Sequence, residues 1–295
     1  MYESYYGFAE TPFSLTPDPA FLYASASHAD GLERLRFAID RREGFVVVTG
    51  DIGTGKTTLC RALLERMPRD TFTALLLDPF PSGEELLTSV LQDLGVVSRT
   101  VQTPDGRRPS RQELIGTLHD FLLSLAPLGA RAVLIVDEAQ DLPLAILEQV
   151  RILANLETGR EKLLQIVLVG QLDLMPVLRS PELRQLDQRV SVRCELRPLT
   201  GDEVGAYVAH RLAVAGPARG VVFTPEALRL VHRLSGGVPR VVNLLCDRAL
   251  LGGFSAQTHR IDEHLVADAA RQLALELPAP LRRSWIGRVL GRRAT

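Results

Sequence analysis

The strongest chemical signal in the sequence is a glycine-rich stretch that reads GDIGTGKT from Gly50 to Thr57. Its glycines, at positions 50, 53 and 55, let the backbone turn sharply and bring amide N–H groups to an anion. Lys56 can reach the β and γ phosphates of a nucleotide, and the hydroxyl of Thr57 can ligate Mg²⁺. The stretch fits the pattern G-x-x-x-x-G-K-[ST] and therefore predicts a phosphate-binding loop, or P-loop.

The flanks of this loop supply the structural context that the motif requires. The run FVVVT precedes it and predicts a strand, and TLCRALL follows it and predicts a helix. The positive N-terminal end of that helix faces the same anion, and we expect Thr58 to support the region of the α phosphate. The predicted nucleotide-binding residues are Gly50, Asp51, Ile52, Gly53, Thr54, Gly55, Lys56, Thr57 and Thr58.

A second motif, AVLIVDEAQ, brings Asp137 and Glu138 to the end of another apolar run. Asp137 is predicted to hold Mg²⁺ through water or through Thr57. Side chains alternate along a strand, so Glu138 points elsewhere, and it is predicted to orient and polarise the attacking water. An acidic pair at a strand end is weak evidence by itself. Combined with the P-loop, it indicates hydrolysis of a nucleotide rather than passive binding.

Short apolar runs alternate with helical patterns through the first two thirds of the chain. The runs are FVVVTG (45–50), TALLLD (73–78), AVLIVDE (132–138), LLQIVLVGQ (163–171) and the weaker SVRCEL (191–196). They are rich in Val, Leu and Ile without alternation, which is typical of strands covered on both faces. The pattern predicts an α/β fold, with a five-stranded parallel sheet and helices on both of its faces.

The character of the sequence changes after Pro198, because the segments that follow all have helical patterns and no strong strand run. Thr224 and Pro239 are typical helix starts, and the glycine pair at 236–237 suits a helix end. The predicted organisation is an α/β nucleotide-binding core over 1–198, a helical lid over 199–277 and a basic tail over 278–295.

The composition limits the possible partners. Hydrophobic residues make up 46% of the chain and charged residues 23%, as in folded soluble proteins. The net charge is −1, so a nucleic acid or a membrane surface would have to be held by a local patch. There is no secretory signal and no apolar stretch long enough to cross a membrane, so the chain is predicted to be cytoplasmic. Cys60, Cys194 and Cys246 are predicted to be reduced structural thiols.

Several segments together resemble the ExeA/GspA secretion ATPases and the related MshM-type pilus-biogenesis ATPases. They are MYESYYGF, TPFSLTPDPAFLY, SHADGLERL, GDIGTGKTTLCRALL, LIVDEAQDL, LVGQ, LRQLDQRV and SGGVPRVVNLLCDRAL. The resemblance extends over roughly residues 1–275. It implies an AAA+ fold near the Orc/Cdc6 and TniB-like branch, with a helical lid after the α/β core. It also implies that the nucleotide is ATP, bound with Mg²⁺, since no guanine-reading motif is visible.

The resemblance assigns roles to residues outside the two motifs. Gln171 is similar to the sensor-1 residue, which places the water or the γ phosphate; a polar cap of the strand end is the alternative. Arg240, in GGVPR, is similar to the sensor-2 arginine, which couples lid closure to the γ phosphate; an ordinary surface arginine is the alternative. The residues predicted to carry the reaction are therefore Lys56, Glu138, Gln171, Arg189 and Arg240.

Arg189, in LDQRV, lies where the family has an arginine finger that reaches the ATP of a neighbouring subunit, and Arg184 competes for this role. A finger in trans implies homo-oligomers, such as rings or arcs. In the family the N-terminal segment, here 1–43, packs near the adenine. For its residues Phe13, Pro17, Tyr23 and His28, core packing and contact with the base are equal alternatives.

The sequence departs from the family where LVGQ is followed by LDLM, a difference that affects a turn. It also stops at Thr295, before the membrane helix and peptidoglycan-binding domain of longer relatives, so we expect either a natural short form or a piece of a longer protein. The arginine-rich tail, 278–295, is compatible with a disordered end, a membrane-surface segment or a nucleic-acid contact. The loop over 97–110 is either a solvated connector or a partner-binding loop.

These observations predict an oligomeric ATPase that acts as a motor or switch for an envelope machine. Type II secretion, a type IV pilus and exopolysaccharide export are the candidate machines, with secretion or pilus proteins as partners at the inner face of the inner membrane. The alternative is a DNA-associated ATPase similar to TniB or TnsC. The near-neutral charge and the lack of a recognisable winged helix count against that alternative.

Overall fold

A five-stranded, wholly parallel sheet lies at the centre of the larger domain. The computed structural model describes residues 2–77, 80, 82–98, 107–158, 161–216 and 220–275. The strands are β1 (Phe45–Gly50), β2 (Thr71–Leu76), β3 (Arg131–Val136), β4 (Gln165–Gly170) and β5 (Val190–Leu196). Their order is β2-β3-β4-β1-β5, and every ladder is parallel. The predicted α/β fold with five strands is confirmed.

Helices cover both faces of this sheet and form the smaller domain beside it. They are α1 (Tyr2–Tyr6), α2 (Ala26–Asp40), α3 (Lys56–Glu65), α4 (Gly83–Asp93), α5 (Arg111–Leu125), α6 (Leu144–Leu153), α7 (Leu174–Leu178), α8 (Arg184–Asp187), α9 (Gly201–Val214), α10 (Pro225–Ser235), α11 (Pro239–Ser255) and α12 (Glu263–Gln272). Short 3₁₀ turns lie at Pro19–Phe21, Ala126–Leu128 and Ala139–Asp141.

The alternation of side chains along β3 shows how the two faces of the sheet are covered. Leu134 and Val136 point into a cluster shared with α4, α5 and α6, whereas Val133 and Ile135 point into a second cluster shared with α2 and α3. All four side chains are buried. A continuous apolar run is what such a doubly covered strand needs, because neither face contacts water.

Several helices begin at residues whose side chains satisfy the free backbone N–H groups of the first turn. Ser110 and Glu113 form a reciprocal capping box at α5, and Thr200 and Glu203 form another at α9. Such caps each stabilise a helix start by about 1 kcal/mol. The second box therefore fixes the point where the chain leaves the sheet and enters the lid.

The smaller domain, called the lid below, consists of α9 to α12 and a two-stranded parallel ribbon. The ribbon pairs β6 (Val222–Phe223) with β7 (Arg260–Ile261), and it is an addition to the predicted helical lid. The aromatic residues at the start of the chain pack into the same apolar cluster as the lid helices. They are Tyr2, Tyr6, Phe8, Phe13 and Phe21. These aromatic residues of the N-terminal segment thus pack with the lid, whereas Leu22 packs against the cluster that the sheet shares with α2 and α3.

Two further sequence expectations can be compared with this fold. Cys60, Cys194 and Cys246 are buried and unpaired, as expected of structural thiols, and burial raises the pKa of Cys194 to about 11. Across the described residues, no helix is both long and apolar enough to cross a membrane.

Candidate nucleotide site

The P-loop joins β1 to α3 at the carboxyl edge of the sheet, where open α/β sheets bind ligands. Lys56 opens α3, and only 6% of its surface is exposed. Its Nζ donates to the carbonyl oxygens of Gly50, at 3.0 Å, and Asp51, at 3.1 Å. The ammonium group is thereby held inside the loop, where it can exchange these carbonyl oxygens for phosphate oxygens.

The lid helix α11 contacts the P-loop directly. The backbone N–H of Arg240 donates to the carbonyl oxygen of Gly53 at 3.2 Å. Gly53 has a φ of +78°, and a Cβ atom built there would lie 2.6 Å from the Cβ atom of Arg240. Only glycine permits both this backbone conformation and this close approach. The predicted sensor-2 arginine therefore lies beside the phosphate loop, and its side chain lines the same cavity.

Asp137 lies just beyond the end of β3 and is buried, with 5% of its surface exposed. Its Oδ2 accepts a hydrogen bond from Thr57 Oγ1 at 2.6 Å, although β4 separates β3 from β1 in the sheet. A hydroxyl and a carboxylate oxygen are ligands that Mg²⁺ prefers. The chemistry of these two side chains fits the magnesium site that the sequence predicts at Thr57 and Asp137, and that site stays a prediction.

Glu138 lines the cavity and has a left-handed backbone conformation, with φ 49° and ψ 40°. Its Oε2 accepts from Gln140 Nε2 at 2.9 Å, and Gln140 Oε1 accepts from the backbone N–H of Gln171 at 2.9 Å. Gln171 follows β4, and its backbone rather than its side chain makes this contact. The predicted sensor-1 residue is thus connected to Glu138, but it is not among the residues that line the cavity.

Arg189 lies at the amino ends of the strands, whereas the P-loop lies at their carboxyl ends. It precedes Val190, which pairs with Phe45 at the start of β1, so about 20 Å of strand separates it from the phosphate site. Its guanidinium donates to Asn155 Oδ1, and the residue is exposed. Arg184, on α8, is exposed as well. Arg189 is therefore too far away to reach the cavity of its own chain, and Arg184 is not among the residues that line that cavity.

The N-terminal segment closes one side of the cavity. Residues 14–18 and 21–23 line it together with P-loop residues 52–58. His28 is buried and connects this side to the loop: its Nε2 lies 2.9 Å from the carbonyl oxygen of Thr54, and its Nδ1 lies 2.7 Å from Ser25 Oγ. A carbonyl only accepts, so Nε2 carries the proton and Nδ1 accepts from the serine hydroxyl. Of the other predicted residues here, Pro17 and Tyr23 line the cavity, and Phe13 is buried with the lid.

Three polar residues on the lid side of the cavity were not predicted from the sequence. The guanidinium of Arg211 donates from Nε to the carbonyl oxygen of Pro12, at 2.6 Å, and from Nη2 to that of Ser14, at 2.9 Å. Tyr207 donates to Asn243 Oδ1 at 2.8 Å. Arg211, Tyr207 and Asn243 are all buried and all line the cavity. Burial lowers the pKa of Arg211 from its usual value.

Two predicted partner segments fall largely outside the described residues. The basic tail over 278–295 is wholly outside them, and so is the central part of the loop over 97–110. At the described end of that loop, Arg107 forms an ion pair with Glu113, the residue that completes the capping box of α5.

Comparison with known proteins identifies related chains. Residues 39–178 match the model of an AAA domain family. The chain is 42% identical over 274 residues to general secretion pathway protein A of Aeromonas hydrophila. That match covers 93% of this chain but only 49% of the relative, so the chain spans about half the length of the relative.

Solved structures with much lower sequence identity have the same fold. The Cdc6p protein of Pyrobaculum aerophilum superposes with a TM-score of 0.68 at 18% identity, over 88% of this chain and 70% of that protein. The ORC2 protein of Aeropyrum pernix, solved in ADPNP–ADP complexes, gives a TM-score of 0.67 at 16% identity, over 89% of this chain and 71% of that protein. These similarities extend over both the sheet domain and the lid.

Proposed function

The chain belongs to the AAA+ family of P-loop proteins that includes general secretion pathway protein A, and on this premise we propose that it binds and hydrolyses MgATP. The observation that carries this proposal is that Lys56, Thr57 and Glu138 line one cavity and that Thr57 donates to the buried carboxylate of Asp137. Lys56 supplies a cation for the phosphates, and Glu138 supplies a carboxylate for the attacking water.

The proposed reaction is attack by water on the γ phosphorus of ATP. The water oxygen bonds to phosphorus, the bond from phosphorus to the oxygen shared with ADP breaks, and Glu138 accepts the proton that the water loses. Thr57 and Asp137 would hold Mg²⁺, which neutralises charge on the phosphate oxygens when it is bound. Lys56 and Arg240 would contact the β and γ phosphates, and Gln171 would place the water or the γ phosphate. The P-loop from Gly50 to Thr58 would contact the remaining phosphate oxygens.

We propose that Arg189 completes the site of a neighbouring subunit, with Arg184 as the competing candidate. Both arginines are exposed, and Arg189 lies at the end of the sheet away from its own P-loop, as a residue acting in trans requires. Such head-to-tail contacts build rings or arcs.

The cellular role that fits best is a motor or switch for an envelope machine, at the inner face of the inner membrane. The name of the related secretion pathway protein supports this proposal. Secretion or pilus proteins would be its partners. A DNA-associated function is the weaker candidate, because the DNA-bound solved structures that share the fold, of Drosophila ORC and of the ORC1 protein of Aeropyrum pernix, are each only 18% identical to this chain.

Steady-state hydrolysis of ATP, measured against protein concentration together with sizing in ATP, tests the proposal. We expect specific activity to rise with concentration in the wild type. Glu138→Gln should keep ATP affinity within a few-fold but lose about 100-fold or more of the turnover. Arg189→Ala should lose activity at concentrations where the wild type assembles, and Arg248→Ala, at an exposed position on α11, is the matched control.

Normal turnover by Glu138→Gln would exclude the role assigned to Glu138. Flat activity from a monomer, unchanged by Arg189→Ala, would exclude the finger in trans. Salt-sensitive binding of DNA in the presence of ATP would favour the weaker candidate function.

A further inference from the structure

Among the residues that the structure describes, one side chain, that of Gln140, donates a hydrogen bond to the carboxylate of Glu138. Gln140 Nε2 donates to Glu138 Oε2 at 2.9 Å and also to Asp141 Oδ2 at 3.1 Å. Glu138 Oε1 has no hydrogen-bond partner among the described residues. A carboxylate that accepts a proton from water needs one oxygen available, and this arrangement leaves Oε1 available while Oε2 fixes the orientation of the group.

The other end of the Gln140 amide is anchored to a neighbouring strand. Its Oε1 accepts from the backbone N–H of Gln171 at 2.9 Å, directly after β4. A Cβ atom at Gly170 would lie 2.8 Å from this same oxygen, so the glycine provides the space that the amide occupies. The side chain of Gln140 thus connects the carboxyl end of β3 to the carboxyl end of β4.

The backbone at Glu138 shows that this arrangement is imposed by its surroundings. A φ of 49° and a ψ of 40° place a glutamate in the left-handed region, which residues other than glycine rarely adopt. Such a conformation persists only where neighbouring contacts determine it. The 3₁₀ turn over Ala139–Asp141 follows immediately and presents Gln140 to both partners.

We propose that Gln140 is a positioning residue that holds Glu138 in the orientation needed to receive a proton from the attacking water, and that it links this orientation to the end of β4. The proposal rests on the proposed ATP hydrolysis. A change in the backbone at Gln171, for example when a γ phosphate binds nearby, would reach Glu138 through this one amide.

Two substitutions at Gln140 test separately its hydrogen bond to Glu138 and its hydrogen bond from the backbone of Gln171. Gln140→Glu keeps an oxygen that can accept from the N–H of Gln171, but it cannot donate to Glu138 when ionised, and it adds a third carboxylate beside Glu138 and Asp141. Gln140→Ala removes both contacts. Asp141→Asn is the matched control, because it changes the other acceptor of Gln140 and leaves the bond to Glu138 in place.

We expect Gln140→Glu and Gln140→Ala to lower kcat for ATP by about 10- to 100-fold, since proton transfer to a positioned base contributes about 100-fold or more. The KM for ATP should stay within about two-fold, since Gln140 is not among the residues that line the cavity. Asp141→Asn should keep kcat within about three-fold of the wild type, because the asparagine oxygen can still accept from Gln140 and the bond from Gln140 to Glu138 stays in place.

The decisive measurement is a double-mutant cycle with Glu138→Gln. If Gln140 acts through Glu138, then Gln140→Ala should cause no further loss of kcat in the Glu138→Gln background. An equal loss in both backgrounds, or a wild-type kcat for Gln140→Ala, would overturn the proposal. Wild-type activity in Glu138→Gln itself would exclude the role of Glu138 and this proposal with it, whereas no hydrolysis by the wild type would reject the proposed function. Unchanged thermal unfolding and ATP affinity of each variant establish that it is folded.

Discussion

The two sides of the nucleotide cavity are built in different ways. On the sheet side, the P-loop holds Lys56 through its own carbonyl oxygens, and Thr57 contacts Asp137 across a single intervening strand. On the lid side, the contacts join residues from opposite ends of the chain: Tyr2 donates to Asp247 Oδ1 at 2.5 Å, and Arg211 donates to the carbonyl oxygen of Pro12.

This difference separates two functions of one cavity. The sheet side carries most of the groups that we propose act on phosphates, and short motifs fix their positions; the exception is Arg240, which lies on lid helix α11. The lid side forms a wall that exists only after the N-terminal segment and the lid have packed together. We therefore expect changes on the sheet side to abolish phosphate chemistry in a folded protein. Changes where the lid packs with the N-terminal segment should weaken nucleotide capture and folding while leaving the chemistry intact.

The largest expected effect is on the sheet side. Lys56→Ala removes the buried ammonium, which in the proposed complex would donate to phosphate oxygens. Hydrogen bonds from a charged donor contribute about 1.5–3 kcal/mol each, so the loss of two should weaken ATP binding by about 100-fold or more. Equilibrium titration with ATP measures this loss, and hydrolysis should disappear with it.

The melting temperature of Lys56→Ala without nucleotide is the control, because it shows whether the variant is still folded. Replacing Lys56 leaves the carbonyl oxygens of Gly50 and Asp51 without this donor, but the loop keeps its other bonds, such as that from Thr54 Oγ1 to the carbonyl oxygen of Asp51 at 2.8 Å. A variant that binds ATP as tightly as the wild type would show that the lysine does not contact phosphate, and the contrast between the two sides would fail.

A smaller and different effect is expected on the lid side. Arg211→Ala leaves the carbonyl oxygens of Pro12 and Ser14 without their donors and removes a cation 4.4 Å from the centre of the Phe21 ring. We expect the free energy of unfolding in urea to fall by about 2 kcal/mol, because buried acceptors lose their partners. The affinity for ATP should fall, since residues 14–18 line the cavity, but kcat at saturating ATP should remain within a few-fold.

Arg248→Ala provides the matched control for Arg211→Ala, because Arg248 is exposed on α11 of the same domain. Its free energy of unfolding should change by no more than about 0.5 kcal/mol. If Arg211→Ala lost kcat as severely as a P-loop variant while remaining folded, the lid would contribute to chemistry directly, and the division between the two sides would be wrong.

The same contrast explains how much of the molecule could be predicted from its sequence. The strands were predicted within about two residues, because a doubly covered strand requires a continuous apolar run and the two motifs mark strand ends. Strand β2 starts at Thr71, two residues before the predicted run TALLLD, because Thr71 already pairs with Arg131 of β3. The first residues of this edge strand, TFT, alternate between polar and apolar side chains and so lack the continuous apolar run used for the prediction. Each strand of the lid ribbon has only two residues, too few to show any pattern.

Most residues of the candidate site on the sheet side were predicted from the sequence, whereas the buried polar residues on the lid side were not. The P-loop and the acidic motif have a residue spacing that indicates their chemistry, and they contain Lys56, Thr57, Asp137 and Glu138. Arg211 and Pro12 are 199 positions apart, and no local pattern indicates that they meet. Gln140 stands within the acidic motif, but its contact with the backbone of Gln171, 31 positions later, depends on the pairing of β3 with β4.

The smallest expected effect concerns His28, which joins the N-terminal segment to the P-loop. Burial lowers the pKa of His28, and the carbonyl of Thr54 and the carboxylate of Glu203 offset this only in part. In the unfolded chain a histidine titrates near pH 6.5, so the folded protein takes up the proton at a lower pH. The contribution of the neutral ring to stability is therefore complete above about pH 6.5 and is lost as the pH falls through the folded pKa.

Free energies of unfolding measured between pH 7.5 and pH 5 test this for the wild type, His28→Gln and His264→Gln. The wild type should lose more stability on acidification than His28→Gln, by at most about 1.4 kcal/mol per pH unit, because one proton is involved. His264 is exposed on α12, so its replacement should leave the wild-type pH dependence unchanged. Protonation also places a hydrogen on Nδ1, which then can no longer accept from Ser25. If ATP affinity falls over the same pH range in the wild type but not in His28→Gln, this N-terminal contact supports the phosphate side of the cavity; parallel pH curves for the two proteins would show that it does not.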